Sequence, residues 1–282
     1  MDDDALAARW TSFADVRANI FRVDQSFEPL DDVAELAARA GLVNRNWNEM
    51  GPVLGTTQEP YVFTVYRPSR AVQCIDSSRW QVDDGVSTLE VSDDNAIAVA
   101  VREVERLGLS DRDVFRPTRV TRLNVASGQK DGIPVAARVI DVGVVLTRII
   151  DEVPVEGQGG NIVVYLDWDL ELTGFQRVAR RISGVYEPVR GWRQIDEVVA
   201  EVETYWRAER NRGLTIEDAR LCYLELGRLQ EQQFIQPVYA LSLRLTNREN
   251  DEVRTAEHYA AAAVNGIGAL MPSDFGPPTQ DR

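Results

Sequence analysis

The side chains that most often run hydrolytic and group-transfer chemistry are scarce in this chain. His258 is the single histidine, Lys130 is the single lysine among 31 basic residues, and Cys74 and Cys222 are the only cysteines. Such chemistry relies on His as general base, on an activated Cys or Lys, or on a His/Cys metal cage. One histidine excludes a two-histidine zinc site, and two cysteines this far apart exclude a zinc ribbon or a C-x-x-C redox pair. His258 lies in the apolar-rich segment RTAEHYAAAA, where a structural or exposed role is expected. Lys130, beside Asp131-Gly132 at an expected hairpin tip, should be solvated and of ordinary pKa, unsuited to a Schiff base. Carboxylates, arginines, aromatics and the backbone remain.

Two short motifs invite a chemical reading. Gly157-x-Gly159-Gly160 has the glycine density of a phosphate cradle, but a dinucleotide loop is followed by a helix N-terminus. Here the β-branched run NIVVYL follows instead, so a hairpin turn is expected. Asp167-Trp168-Asp169 has the form of a metal-binding D-x-D. Its place between two alternating runs points to a turn capped by its own Asp side chains. A calcium loop needs further oxygen ligands and a bidentate Glu at loop position 12, which the sequence does not offer. No spacing among the 45 acidic residues singles out a carboxylate pair for glycoside chemistry. No metal or cofactor is expected.

Strand parity gives the better lead. In ARVIDVGVVLTRIID, Ile140, Val142, Val144 and Leu146 share one face, and Asp141, Gly143, Val145 and Thr147 the other. In the next run Ile162, Val164 and Leu166 oppose Asn161, Val163 and Tyr165. Then Leu170 and Leu172 oppose Glu171, Thr173, Phe175 and Arg177. The apolar face should take a helix. The mixed face is too apolar for water and too polar for a simple core, so a neighbouring module, a partner or a bound ligand should cover it. Asp141, Tyr165, Glu171 and Arg177 are the candidate ligand- or partner-binding residues.

Three segments share a plan that would position these residues. Asp31 to Leu42, Ser92 to Leu109 and Gln194 to Leu214 each read as an amphipathic helix closed by Gly-Leu, and strand patterns follow each. In the second, Ser92 or Asp93 is the expected N-cap, the stripe is Ile97, Val101, Val104 and Leu107, and Gly108 terminates it. Turn residues punctuate the strands at Arg67-Pro68-Ser69, Asp83-Asp84-Gly85, Lys130-Asp131-Gly132, 157–160 and 247–251. The expected fold is α+β, a tandem of modules with one helix packed on an antiparallel β-sheet and the sheets meeting through their mixed faces. The expected boundaries are 1–91, 92–190 and 191–270, followed by a Pro/Gly-rich tail at 271–282.

Composition narrows the function by exclusion. An apolar share of 44% is that of a globular protein. A net charge of −14 opposes nucleic acid and anionic membrane surfaces. No run is long and apolar enough for a membrane span, and the acidic start Met1-Asp2-Asp3-Asp4 is unlike a secretory signal. A cytoplasmic protein is expected, or a secreted one if a leader precedes this sequence. The near-exclusive use of Arg over Lys reads as the coding bias of a GC-rich genome or as salt adaptation.

The segment from Ile150 to Ile182 carries Val153-Pro154-Val155, Gly157, the acidic stretch Asp167 to Asp169, then Gly174 and Phe175. In that order these resemble the PepSY-like propeptide modules of secreted bacterial proteases. The segment FIQPVYALSLRL, with Gln236-Pro237-Val238-Tyr239, is similar to the closing strand of such tandem modules. At the level of pattern the resemblance spans roughly residues 90 to 245. It implies a helix-on-sheet fold and an inhibitory or chaperoning contact with another protein. The leading expectation is therefore a non-catalytic module that binds a protein or peptide through sheet faces or edges. The alternative is a small-molecule cyclase or isomerase that folds a hydrophobic substrate in an apolar pocket, assisted by Asp141, Tyr165, Glu171 or Arg177.

Overall fold

The computed structural model describes residues 16–25, 30–43, 46–76, 78, 91–110, 113–125, 138–207, 212–247 and 253–267. The short strand-like run Ser87 to Val91 that the sequence also offers (apart from Val91), the turns at 83–85 and 130–132, most of the turn at 247–251, Lys130 and the 271–282 tail lie outside them.

The helices form where periodicity places them. The first is α1 (Leu30–Arg39). In α2 (Asp93–Leu107), the Ser92 hydroxyl accepts from the Asn95 N–H, and Gly108 closes the helix in the left-handed conformation with φ 68°. Its buried stripe is Ala96, Ala100, Val104 and Leu107, so two alanines replace the expected Ile97 and Val101. Small side chains let the helix axis approach the sheet, and the two larger residues flank the contact. The third helix, α3 (Ile195–Arg207), ends before Gly213. That glycine belongs to a strand rather than to the helix terminus expected of it.

The expected tandem of helix-on-sheet modules is not what forms. Fourteen strands join in one mixed sheet, with three helices against it among the described residues. One limb is antiparallel, in the order β6 (Val114–Val125), β7 (Arg138–Ile150), β9 (Asn161–Leu166), β10 (Leu172–Val178), β5 (Ala71–Asp76), β4 (Tyr61–Tyr66), β3 (Val53–Gln58), β2 (Asn48–Met50). The other limb contains β12 (Arg212–Leu224) and β13 (Phe234–Asn247). On the far side of β13 lie β14 (Val253–Ala261) and β1 (Asn19–Val23), and β11 (Ile182–Pro188) pairs with β1.

The short strand β8 (Val153–Glu156) explains why the limbs are continuous. Its residues pair antiparallel with Ile149 and Ile150 of β7, and run parallel to Tyr223 and Leu224 of β12. The limbs are thus joined through edge hydrogen bonds instead of meeting face to face. Pairing also crosses the segment boundaries read from sequence: β5 pairs with β10, and β1 lies between β11 and β13. Periodicity reveals that a run is a strand, but not its partner, which long-range packing selects.

Each limb has its own core. Under α1 and α2 lie Phe63, Val72, Val144, Leu146, Ile162, Val164 and Phe175. Trp206 of α3 packs in the second core with Tyr223, Ile235, Tyr239 and Leu241. No helix among the described residues is long and apolar enough to cross a membrane.

Candidate functional site

On β7 and β9 the expected alternation is present. Val142, Val144 and Leu146 are buried, as are Ile162, Val164 and Leu166, while Val145, Thr147, Asn161, Val163 and Tyr165 on the other face are half-buried. On β10 a bulge at Thr173 shifts the register, because Leu172 pairs with Leu166 but Gly174 pairs with Tyr165. One extra residue moves every later side chain to the opposite face. Phe175 therefore pairs with Val164 and is fully buried in the helix-side core, and Arg177 pairs with Ile162 on that same side. Gly174 and Gln176 take the places expected for Phe175 and Arg177.

The bulge has two local causes. The Thr173 hydroxyl turns to the buried carboxylate of Asp141, 3.3 Å from each oxygen. At Gly174 a Cβ would lie 2.6 Å from the carbonyl oxygen of Cys74, so the neighbouring backbone admits only glycine there.

Tyr165 is paired with glycine on both sides, Gly143 on β7 and Gly174 on β10. Its ring passes close over Gly143, where a Cβ would sit 3.5 Å from Cε1. Burial, and then the Asp141 carboxylate, push the phenol above its ordinary pKa, while Arg228 pulls the other way. Tyr165 is thus a neutral hydroxyl at neutral pH, within electrostatic reach of one carboxylate and one guanidinium.

Arg228 reaches this face from the loop between β12 and β13. Its guanidinium lies 4.7 Å from the centre of the Tyr66 ring and donates to Gln176 Oε1 at 3.3 Å and Gln73 Oε1 at 3.5 Å. Tyr66 Oη donates to the same Gln73 oxygen at 3.3 Å. The loop is held firmly: the Ser69 hydroxyl donates to the Arg228 carbonyl at 2.7 Å, and Arg180 donates to the carbonyls of Gly227 and Gln230 at 2.9 and 2.6 Å.

Beneath the loop is a buried ionic cluster. Glu225 is fully buried and accepts from the Arg180 backbone N–H at 2.6 Å, from Arg148 Nη1 at 3.3 Å and from Arg180 Nη1 at 3.5 Å. Arg148 also donates to the Arg180 carbonyl at 2.9 Å and to Asp113 at 2.8 Å. Burial pushes the Glu225 carboxyl up, and the two guanidinium groups oppose that push. The glycines of the 157–160 turn pack on this loop's backbone: a Cβ on Gly157 would meet the Glu225 carbonyl oxygen at 2.6 Å, and one on Gly159 the Leu226 carbonyl oxygen at 2.5 Å. This turn links β8 to β9, and a strand follows it.

Of the four candidates, Asp141 and Tyr165 come together on one face. Arg177 is on the reverse side, lining a separate cavity, and Glu171 is exposed in the turn before β10. That turn is organised by the buried Asp167, whose Oδ1 accepts from the N–H groups of Asp169 and Glu171 at 2.9 Å each. Sequence reasoning missed Tyr66, Gln73, Gln176 and Arg228, which come from three distant segments. Only the register of β10 could have exposed Gln176, and no local pattern marks Arg228.

The few side chains of nucleophile or base type lie elsewhere. Both cysteines are buried, with the Cys74 thiol pushed up to about 12 and the Cys222 thiol also raised, in each case mainly by burial. His258 is buried on β14 against the Tyr205 ring, and burial lowers its pKa. Among the described residues no group of three or more His, Cys, Asp or Glu could hold a metal ion.

No family model matches the chain. No curated protein matches it either. Among solved structures it is similar to a crystal structure of an uncharacterized protein from Eubacterium rectale ATCC 33656, at 9% sequence identity and a TM-score of 0.48 over 88% of this chain and 83% of that one.

Proposed function

We propose that the protein is a non-catalytic binding module that receives a segment of a protein partner on the Tyr165–Arg228 face. What carries this reading is the state of Arg228. Its guanidinium is fixed over Tyr66, yet it makes only long bonds, 3.3 and 3.5 Å, to two glutamine side chains. A positioned cation with unsaturated donors, next to a half-buried tyrosine flanked by glycines, is the arrangement that anchors partner side chains or carbonyls. Gln73 and Gln176 add amide donors on neighbouring strands. The face places no nucleophile next to a general base, so binding fits it better than turnover. The PepSY-like resemblance of residues 90 to 245 supports the same reading, and a cytoplasmic location is proposed with it.

The test is affinity capture from the native organism with wild type and with a Tyr165→Ala/Arg228→Ala variant. A stoichiometric partner retained by the first and lost by the second, while the second remains folded at the temperature of the capture, is expected. Monomer without a partner in both cases would sink the proposal.

A further inference from the structure

On the reverse side of the same limb, four arginines converge although the chain as a whole carries −14. Arg39 at the end of α1, Arg70 before β5, and Arg177 and Arg181 at and beyond the end of β10 line a cavity of about 440 Å³. Sheet register explains three of them. Arg177 pairs with Val72, so continuing the antiparallel ladder sets Arg70 opposite Ala179, flanked by Arg177 and Arg181. Arg39 is brought in by the meeting of α1 with the end of α2. Its guanidinium lies so close to Gly108 that a Cβ there would collide with it.

Arg70 adheres to this arrangement at a conformational cost. Its φ is 59°, in the left-handed region that favours glycine. It is the last residue of the four-residue turn between the paired Tyr66 and Ala71, and the hairpin holds its backbone there. The Asp24 carboxylate stands 3.6 Å from Arg70.

The remaining lining has a different character. Asp32 and Glu35 face the cavity from α1, and Val72 and Leu109 supply an apolar floor. Guanidinium groups select phosphate or carboxylate oxygens, while carboxylates accept hydrogen bonds from hydroxyls. The volume lies within the range of small-molecule sites and exceeds what an inorganic ion alone would fill. We propose that this cavity binds a small organic phosphate whose body carries hydroxyl groups, the phosphate on Arg70, Arg177 and Arg181 and the hydroxyls on Asp32 and Glu35. The site is independent of the partner-binding face, which lies across the sheet from it.

Calorimetric titration of the full chain with inorganic phosphate, glucose 6-phosphate, glucose and citrate tests this. Saturable binding of glucose 6-phosphate is expected, with inorganic phosphate about tenfold or more weaker and glucose without effect. Arg181→Glu should weaken glucose 6-phosphate about tenfold or more, with the free protein melting as wild type because Arg181 is exposed. Asp32→Asn should weaken glucose 6-phosphate but leave inorganic phosphate unchanged. No saturable binding of either phosphate, wild-type affinity in Arg181→Glu, or citrate bound in preference to both phosphates would each overturn the proposal. Arg177→Gln is a second probe, and Arg181→Glu keeps the test decisive if that variant is poorly folded.

Discussion

Two polar clusters lie within the same loop region and behave as opposites. Around Glu225 the carboxylate and the guanidinium groups of Arg148 and Arg180 are buried, with only Asp113 at the edge partly exposed, and the carboxylate is met by both guanidinium groups and a backbone N–H. Tyr165, Arg228, Gln73 and Gln176 are half-exposed instead, and the hydrogen bonds of Arg228 go to two neutral glutamine side chains. Burial and charge pairing mark a cluster that holds the fold, while a half-exposed cation held by neutral side chains marks one kept for something that arrives later. The first cluster in effect builds the second. Arg180 grips the carbonyls of the loop, and the loop carries Arg228 onto the sheet.

The comparison breaks first, and most heavily, at Glu225. Glu225→Ala strands two buried guanidinium groups and is expected to cost about 3–5 kcal/mol, measured by urea unfolding. A loss below about 1 kcal/mol, in the range of exposed ion pairs, would mean that water reaches the cluster and that the contrast with Arg228 is false. Next is Gly174→Ala. The added methyl group meets the Cys74 carbonyl, so about 1–3 kcal/mol should be lost, together with slowed-exchange protection of the β5–β10 amides.

A pH series sharpens the contrast from a third place. Neither ring nitrogen of His258 has a hydrogen-bond partner among the described residues. Burial sets its folded pKa below the ordinary value of 6.5, with Glu201 opposing the shift. The unfolded chain therefore takes up the proton first. Stability is fully present above pH 6.5 and is lost as pH falls through the lowered folded value, by up to about 1.4 kcal/mol per pH unit. His258→Phe should flatten the urea midpoints between pH 6.5 and pH 5.5, the interval below the unfolded value; an unchanged slope would assign the effect to other groups.

The smallest effects on stability are expected where the largest effects on binding lie. Tyr165→Phe should cost about 1 kcal/mol or less, and Arg228→Ala a similar amount. Partner affinity should nonetheless fall by about tenfold or more in each. If either change lowers stability as much as Glu225→Ala does, the open face is part of the core and the binding role is lost.

Much of this was legible in the residues themselves. Ser92 and Gly108 delimit α2 because capping is local chemistry, satisfied within four residues. Asp167 organises its own turn for the same reason. Alternation in β7 and β9 gave the right faces, since side-chain period is a property of the strand alone. It failed on β10, where a single bulge turned Arg177 away from Tyr165 and into the arginine-lined cavity.

What the sequence determined by itself is therefore whatever nearest neighbours decide: helices and their ends, strand character, turns, and the scarcity of nucleophiles. Only the tertiary structure decided the rest. It made one mixed sheet out of expected modules, because four residues of β8 pair with β7 on one side and β12 on the other. It brought Tyr66, Gln73, Tyr165 and Arg228 together from three distant stretches of chain. Strand partners and loop placement are chosen by burial and by hydrogen bonding over long sequence separations, where no local spacing records which groups will meet.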